Sequence, residues 1–240
     1  MGSDDLLLSR AVLRITPHDA ARGVNATYLL HQAIAELFGQ YDKRPYLYRV
    51  DARHHDAHVV LILSTRQPTT PAAPSTSGVR LEELAIKPFS IRVARGTKLD
   101  FEIRVNATKD VPVEVGKRSR RVDVWEAVWR ADRQTDATPH EVYGAYLRRR
   151  LQPAANVHDA RVTTRGLVRA RADVNGTRGI THVATNVIGT LDVIDTNALT
   201  MIVQRGIGRS RAFGCGLLCL SRPGTVLPRR HSISTPESAT

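Results

Sequence analysis

Cysteine is almost absent from this chain. Only Cys215 and Cys219 occur in 240 residues, which excludes a disulfide framework and makes free thiols in a reducing compartment the simplest reading. Long apolar runs are missing too: nothing approaches the roughly 20 residues that cross a bilayer, so no membrane partner is expected. Leu6-Leu7-Leu8 is cut short by Ser9-Arg10, and the preceding Met1–Asp5 stretch is acidic where a secretory signal would be basic. A cytoplasmic protein is therefore expected, and the Asn-x-Thr triplets at Asn25, Asn106 and Asn175 read as chance matches to a glycosylation acceptor. Lysine is scarce as well, supplying five of the 35 basic side chains.

What is abundant is arginine. Against 23 acidic residues the basic ones leave a net charge of +12, while hydrophobic (42%) and charged (24%) fractions are those of an ordinary globular protein. The charge is uneven: residues 146–230 hold fourteen Arg, no Lys and four Asp, whereas residues 1–145 are close to balanced. Genomic base bias accounts for arginine over lysine, but not for its concentration in one half. A polyanion site in the second half follows, with binding that weakens as salt is added.

The length suits two domains of about 100 residues. Leu6 to Ile15 reads as a buried strand, followed by a helix capped by Asn25 or Thr27 and ended near Gly39. Tyr46 to Val50 and His58 to Ser64 read as strands, and residues 66–78 as an exposed loop or linker. Lys98 to Asn106 alternates apolar and charged residues as a half-buried strand does. A basic stretch with Lys117, Arg118 and Arg120 leads to a helix around Trp125 and Trp129. Thr138-Pro139 then starts a helix to about Leu151. Two long strands, Val157 to Arg171 and Ile180 to Val193, flank an Asn175-Gly176 hairpin signal. A helix over Asn197 to Gln204 ends at Gly206, and Gly214 to Leu220 reads as the last strand. Beyond Pro223 the composition is that of a disordered tail. The order implies α+β architecture, with tandem ferredoxin-like sheets as the specific expectation and divisions at 1–88, 89–222 and 223–240.

The segment from Arg205 to Leu218 carries Gly206, Gly208, Gly214 and Gly216. A dinucleotide-binding loop follows a strand and opens a helix; here the order is reversed, and Arg211 stands where the third glycine would be. The segment instead resembles the terminal glycine-rich signature of the RAMP superfamily, in particular its CasE (Cse3) members from type I-E CRISPR systems. Other blocks are similar in the same order: Tyr28-Leu29-Leu30-His31, Arg44-Pro45-Tyr46-Leu47-Tyr48-Arg49, Lys87-Pro88-Phe89, Phe101 to Asn106, and Gly116-Lys117-Arg118. They extend from about residue 6 to residue 222. Val105-Asn106-Ala107 departs from the family's usual Ala-Asn-Pro, and Glu36 stands where some members carry a helix lysine.

That resemblance implies a metal-independent endoribonuclease. It would bind the stem-loop of CRISPR repeat RNA, cut by 2′-OH attack to leave a 2′,3′-cyclic phosphate, and stay on the mature crRNA with other Cascade subunits. The catalytic candidates are His31, whose ordinary pKa near 6.5 permits proton transfer at neutral pH, and Tyr28, one helical turn earlier on the same face. RNA contacts are expected from Lys117, Arg118, Arg120, Arg209, Arg211 and the hairpin residues Arg161, Arg165, Arg169, Arg171 and Arg178. In an unbroken strand, odd-numbered arginines share a face. The glycines would let backbone approach RNA or a neighbouring helix, shape a tight turn, or both.

Bland readings compete. A single helix histidine is commonly structural, and Tyr28 could simply pack. His54, His55 and His58 have only Asp51 and Asp56 as acidic neighbours and read as solvent-exposed, so no metal and no cofactor are expected. Cys215 and Cys219 would face one side of a strand as buried thiols. The main functional alternative is a catalytically silent RAMP-type RNA-binding subunit of a CRISPR ribonucleoprotein.

Overall fold

The computed structural model describes residues 6–15, 25–54, 56–71, 78–112, 119–171 and 179–225. Lys117, Arg118, Arg178, Gly116, His55, the Asn175-Gly176 turn and the tail from residue 226 lie outside the described residues. So do the side chains of His54 and Arg171.

The first sheet is built by β1 (Leu6–Arg14), β2 (Tyr46–His54), β3 (Ala57–Ser64) and β4 (Arg80–Phe89), in the order β2-β3-β1-β4. All neighbours are antiparallel, and helix α1 (Ala26–Glu36) connects β1 to β2. This is the ferredoxin-like strand order. Leu29, Leu30, Ala33 and Ile34 line one face of α1 and are buried against Ala11, Leu13, Tyr48, Val60 and Ile62 of the sheet. Their helical spacing is what fastens α1 there.

The second sheet repeats the plan in full. β5 (Lys98–Val105), β8 (Ala155–Arg171), β9 (Gly179–Val193) and β10 (Leu218–Ser221) pair as β10-β5-β9-β8, again antiparallel. Its helices are α3 (Pro139–Leu151) and α4 (Thr196–Arg205), while a small hairpin, β6 (Thr108–Val111) with β7 (Arg120–Asp123), and α2 (Val124–Ala131) are inserted before α3. Thr138 and Glu141 form a capping box at the start of α3, an arrangement worth about 1 kcal/mol. The expected α+β, tandem ferredoxin-like fold is thus observed.

Four local expectations change. Arg80–Phe89 is a strand that the sequence pattern hides, since its faces are mostly exposed or half-buried. Thr108–Val111 and Arg120–Asp123, after Ala107, pair as the antiparallel strands β6 and β7. The final strand begins at Leu218, because Arg211–Phe213 is a 3-10 turn between Ser210 (φ 54°) and Gly214 (φ 76°), both left-handed. Cys215 consequently lies in the loop, buried, while Cys219 is half-buried on β10. His58, expected at the surface, is buried on β3.

The two sheets share apolar packing: Leu6, Leu47 and Leu63 of the first belong to the same buried cluster as Phe101, Ile103, Leu147 and Val203 of the second. Arg49 on β2 is a polar fastening at this junction. It is 5% exposed and bonds Glu102 on β5 at 2.7 Å, with Asp51 at 3.7 Å and the Cys219 sulfur at 3.5 Å.

Candidate active site and RNA-facing surface

α1 begins where the Asn25 side chain accepts the Tyr28 N–H at 3.1 Å. The same side chain donates from Nδ2 to the backbone carbonyl of Arg169 on β8, so one residue both caps the helix and ties it to the long hairpin. Three residues apart, Tyr28 and His31 meet edge to face, their ring centroids 6.1 Å apart. The expectation that they share a helix face holds.

On its other side His31 packs 5.2 Å from the Phe213 ring in the glycine-rich segment, and Phe213 in turn lies 6.0 Å from His182 on β9. The imidazole therefore sits where the two sheets meet. Burial holds its pKa below the ordinary range, positive charge on Arg44 lowers it further, and the Ala212 carbonyl pulls the other way. His31 Nδ1 is buried without a hydrogen-bond partner among the described residues. A neutral, half-buried imidazole of this kind can accept a proton at neutral pH.

The glycines hold the floor of this site. A Cβ on Gly208 (φ 81°) would come 2.8 Å from the Asn106 carbonyl oxygen, and one on Gly206 (φ 72°) 2.8 Å from Leu47. Their backbones thus touch the end of β5 and the first sheet, and Arg209 N–H donates to the Asn106 oxygen at 3.1 Å. Tyr48 fixes the turn from below, its hydroxyl donating to the Ala212 carbonyl at 2.9 Å. A tight turn and close backbone approach, both expected of the glycines, are what the geometry displays, the partners being the end of β5 and the first sheet rather than a neighbouring helix.

The arginines divide. β8 carries a bulge between Val162 and Thr164, so Arg161 pairs opposite Ile188 while Arg165 and Arg169 pair opposite Thr185 and Thr181. The inserted residue reverses the alternation, and Arg161 lies on the face opposite to Arg165 and Arg169. The expected single arginine face is corrected accordingly. Arg165 is also engaged: it reaches Asp123 at 3.0 Å and the Tyr143 hydroxyl at 3.3 Å. Asp123 is 2% exposed in its side chain, caps α2 through the Trp125 and Glu126 N–H groups, and accepts from Tyr143 at 2.6 Å. Burial and that bond push Tyr143 up to about 12. Arg161, Arg169, Arg120, Arg209 and Arg211 are exposed.

Arg44, Phe213, His182 and Asp123 do not stand out in the sequence as site residues. Arg44 could, since it opens the Arg-Pro-Tyr block; the others are ordinary residues until the fold brings them together. Among the described residues no group of three or more His, Cys, Asp or Glu could hold a metal ion.

Fold and site together define a protein of two fused ferredoxin-like sheets, with an imidazole at their junction and a basic hairpin docked on the helix that carries it. Residues 6–222 match the family model described as CRISPR associated protein, and the chain belongs to that family. Among solved structures it is similar to the CRISPR-associated protein Cas6e from Escherichia coli, with 23% identity and a TM-score of 0.63 over 89% of this chain and 99% of that one. It is also similar to Thermus thermophilus Cse3 bound to an RNA representing a pre-cleavage complex, at 21% identity and TM-score 0.65 over 90% and 99%. A chain of a CRISPR RNA-guided surveillance complex is similar at 17% identity and TM-score 0.58, again over 90% and 99%. Curated proteins offer no match to the sequence.

Proposed function

We propose that the chain is a metal-independent endoribonuclease that binds the stem-loop of CRISPR repeat RNA and cuts precursor CRISPR RNA at the base of the stem. The carrying observation is the placement of His31 and Tyr28 on one face of α1, at the sheet junction, with the β8-β9 hairpin tied to the same helix through Asn25. A duplex held against Arg169 and the neighbouring exposed arginines brings its base to the start of that helix. Shape and phosphate contacts suffice for such a duplex, because the A-form major groove is too narrow to read.

Cleavage then needs a proton acceptor for the ribose 2′-OH, a proton for the departing 5′-oxygen, and positive charge near the phosphate. The neutral His31 imidazole takes the 2′-OH proton as the P–O2′ bond forms, the P–O5′ bond breaks with solvent water protonating the departing 5′-oxygen, and Tyr28 orients the same phosphate. The RNA supplies its own nucleophile, so the chemistry requires no metal, and the product ends in a 2′,3′-cyclic phosphate. The functional division follows the proposed domains, residues 1–88 carrying the catalytic helix and 89–222 the hairpin and glycine-rich loop. The similarity to a surveillance-complex chain supports retention on mature crRNA with other Cascade subunits. No described helix is long and apolar enough to cross a membrane, and we place the protein in the cytoplasm on the strength of its partners.

His31→Ala tests the reading. Loss of cleavage with repeat-hairpin binding retained supports it; unchanged cleavage removes His31 from the mechanism and leaves the RNA-binding subunit as the better account.

A further inference from the structure

The β8-β9 hairpin does not hold all the unpaired cations. Two open clefts flank the glycine-rich segment on the other side of His31. The first, about 670 Å³, is lined by Lys43, Arg44, Arg205 and Arg211 and by no acidic residue. The second, about 700 Å³, shares Arg205 and Arg211 with it and adds Arg121, Arg150 and Arg209, with Asp110 as its one carboxylate. Sharing two residues makes the clefts neighbours. Of the seven cations lining the clefts, only Arg121 has a carboxylate within ion-pair distance among the described residues, Asp110 at 3.1 Å. Arg150 lies over the Tyr146 ring at 5.3 Å and Arg44 over Tyr46 at 5.7 Å, so both guanidinium planes are held while their charge remains available.

Direction is given by the residues at the near end. Arg44 is the cation whose charge acts on His31, and Arg211 starts the turn that places Phe213 against the same ring. The track therefore begins beside the imidazole and leads away across Arg205 to Arg209, Arg150 and Arg121. Like charges at this density in open clefts repel one another and are stabilised by a polyanion.

We propose that this arginine track binds the phosphates of the single-stranded RNA flanking the stem, holding one strand as it leaves the cutting point. The proposal rests on the endoribonuclease reading and extends it to a second RNA subsite. Open clefts lined by cations, whose aromatic rings Tyr46 and Tyr146 are already covered by Arg44 and Arg150, suit a sugar-phosphate backbone better than stacked bases or a duplex. Arg44, whose charge reaches His31, would then face the phosphate nearest the cut.

The test uses the double variant Arg150→Gln/Arg205→Gln of the full chain and three RNAs: the bare repeat hairpin, the same hairpin with single-stranded flanks, and an unstructured strand of equal length. Affinity for the flanked hairpin is expected to fall about tenfold and that for the unstructured strand similarly. The salt slope should drop by about 1.4, near 0.7 for each phosphate that the variant no longer neutralises. Binding and cutting of the bare hairpin should stay unchanged. Equal affinity of wild type and variant for the flanked and unstructured RNAs overturns the track, including the case in which it serves an acidic protein partner. An equal loss on the bare hairpin also overturns it. Arg150→Lys/Arg205→Lys should restore most of the affinity, which separates lost charge from lost folding. Failure of the wild type to cut the bare hairpin would instead count against the nuclease reading, while the unstructured strand still decides the track.

Discussion

His182 offers a stability measurement that reaches the floor of the site. It is 9% exposed on β9, its Nδ1 has no hydrogen-bond partner among the described residues, and its ring faces Phe213. Burial and the nearby Arg104 lower its pKa to about 4. In the unfolded chain the same imidazole titrates near 6.5. Above pH 6.5 both states are neutral and the group is silent; as pH falls from 6.5 towards 4 the unfolded chain takes up a proton that the folded one refuses. Stability is therefore lost across that window, at up to about 1.4 kcal/mol per pH unit and about 3 kcal/mol in all. Below pH 4 the folded protein protonates too and the loss levels off. Urea unfolding of wild type and His182→Gln at intervals from pH 7.5 to 4 isolates this contribution, since His31 and His58, also depressed, titrate in both proteins. The variant should lose about 3 kcal/mol less than wild type over the window. Parallel curves would refute the placement of a neutral His182 beneath Phe213.

Removing Arg49 should strand the Glu102 carboxylate at the sheet junction. Arg49→Met is expected to cost about 3–5 kcal/mol, and Arg49→Met/Glu102→Gln less, in denaturant unfolding. Gly208→Ala places a Cβ 2.8 Å from a backbone oxygen at φ 81°; a stability loss of about 2–4 kcal/mol is expected, with cleavage falling further than hairpin affinity because the Phe213 turn moves with the loop. Asp123→Ala leaves Tyr143 and Arg165 without their shared acceptor and uncaps α2. It should lower the melting temperature and weaken hairpin binding more than cleavage of bound RNA, read by single-turnover kinetics.

The paired sheets are legible in the sequence because their signals are local. Alternation over Lys98–Val105, the apolar stripe of α1 and Thr138-Pro139 before α3 each act within a few residues. β4 is not legible: an edge strand exposed along much of both faces has little alternation to read, and only its pairing with β1 defines it. The last strand starts later than its pattern suggests, because apolar Phe213 and Cys215 extend that pattern backwards, whereas Ser210 and Gly214 in left-handed conformations make a turn there. The site shows the same split. Tyr28 and His31 lie one turn apart and can be read together, while the bulge after Val162 that turns Arg161 away from Arg165, and the Asp123–Tyr143–Arg165 cluster, depend on contacts 20 to 42 residues apart.

One imidazole helping an RNA to break its own chain is the central claim. Single-turnover cleavage of a repeat stem-loop in excess chelator, followed by end-group analysis, is the most direct measurement. A 2′,3′-cyclic phosphate is expected from the all-ribose substrate, with no cutting of a substrate carrying 2′-deoxy at the scissile position although it binds equally well. Cleavage of the 2′-deoxy substrate, or activity that vanishes with the chelator, would contradict it.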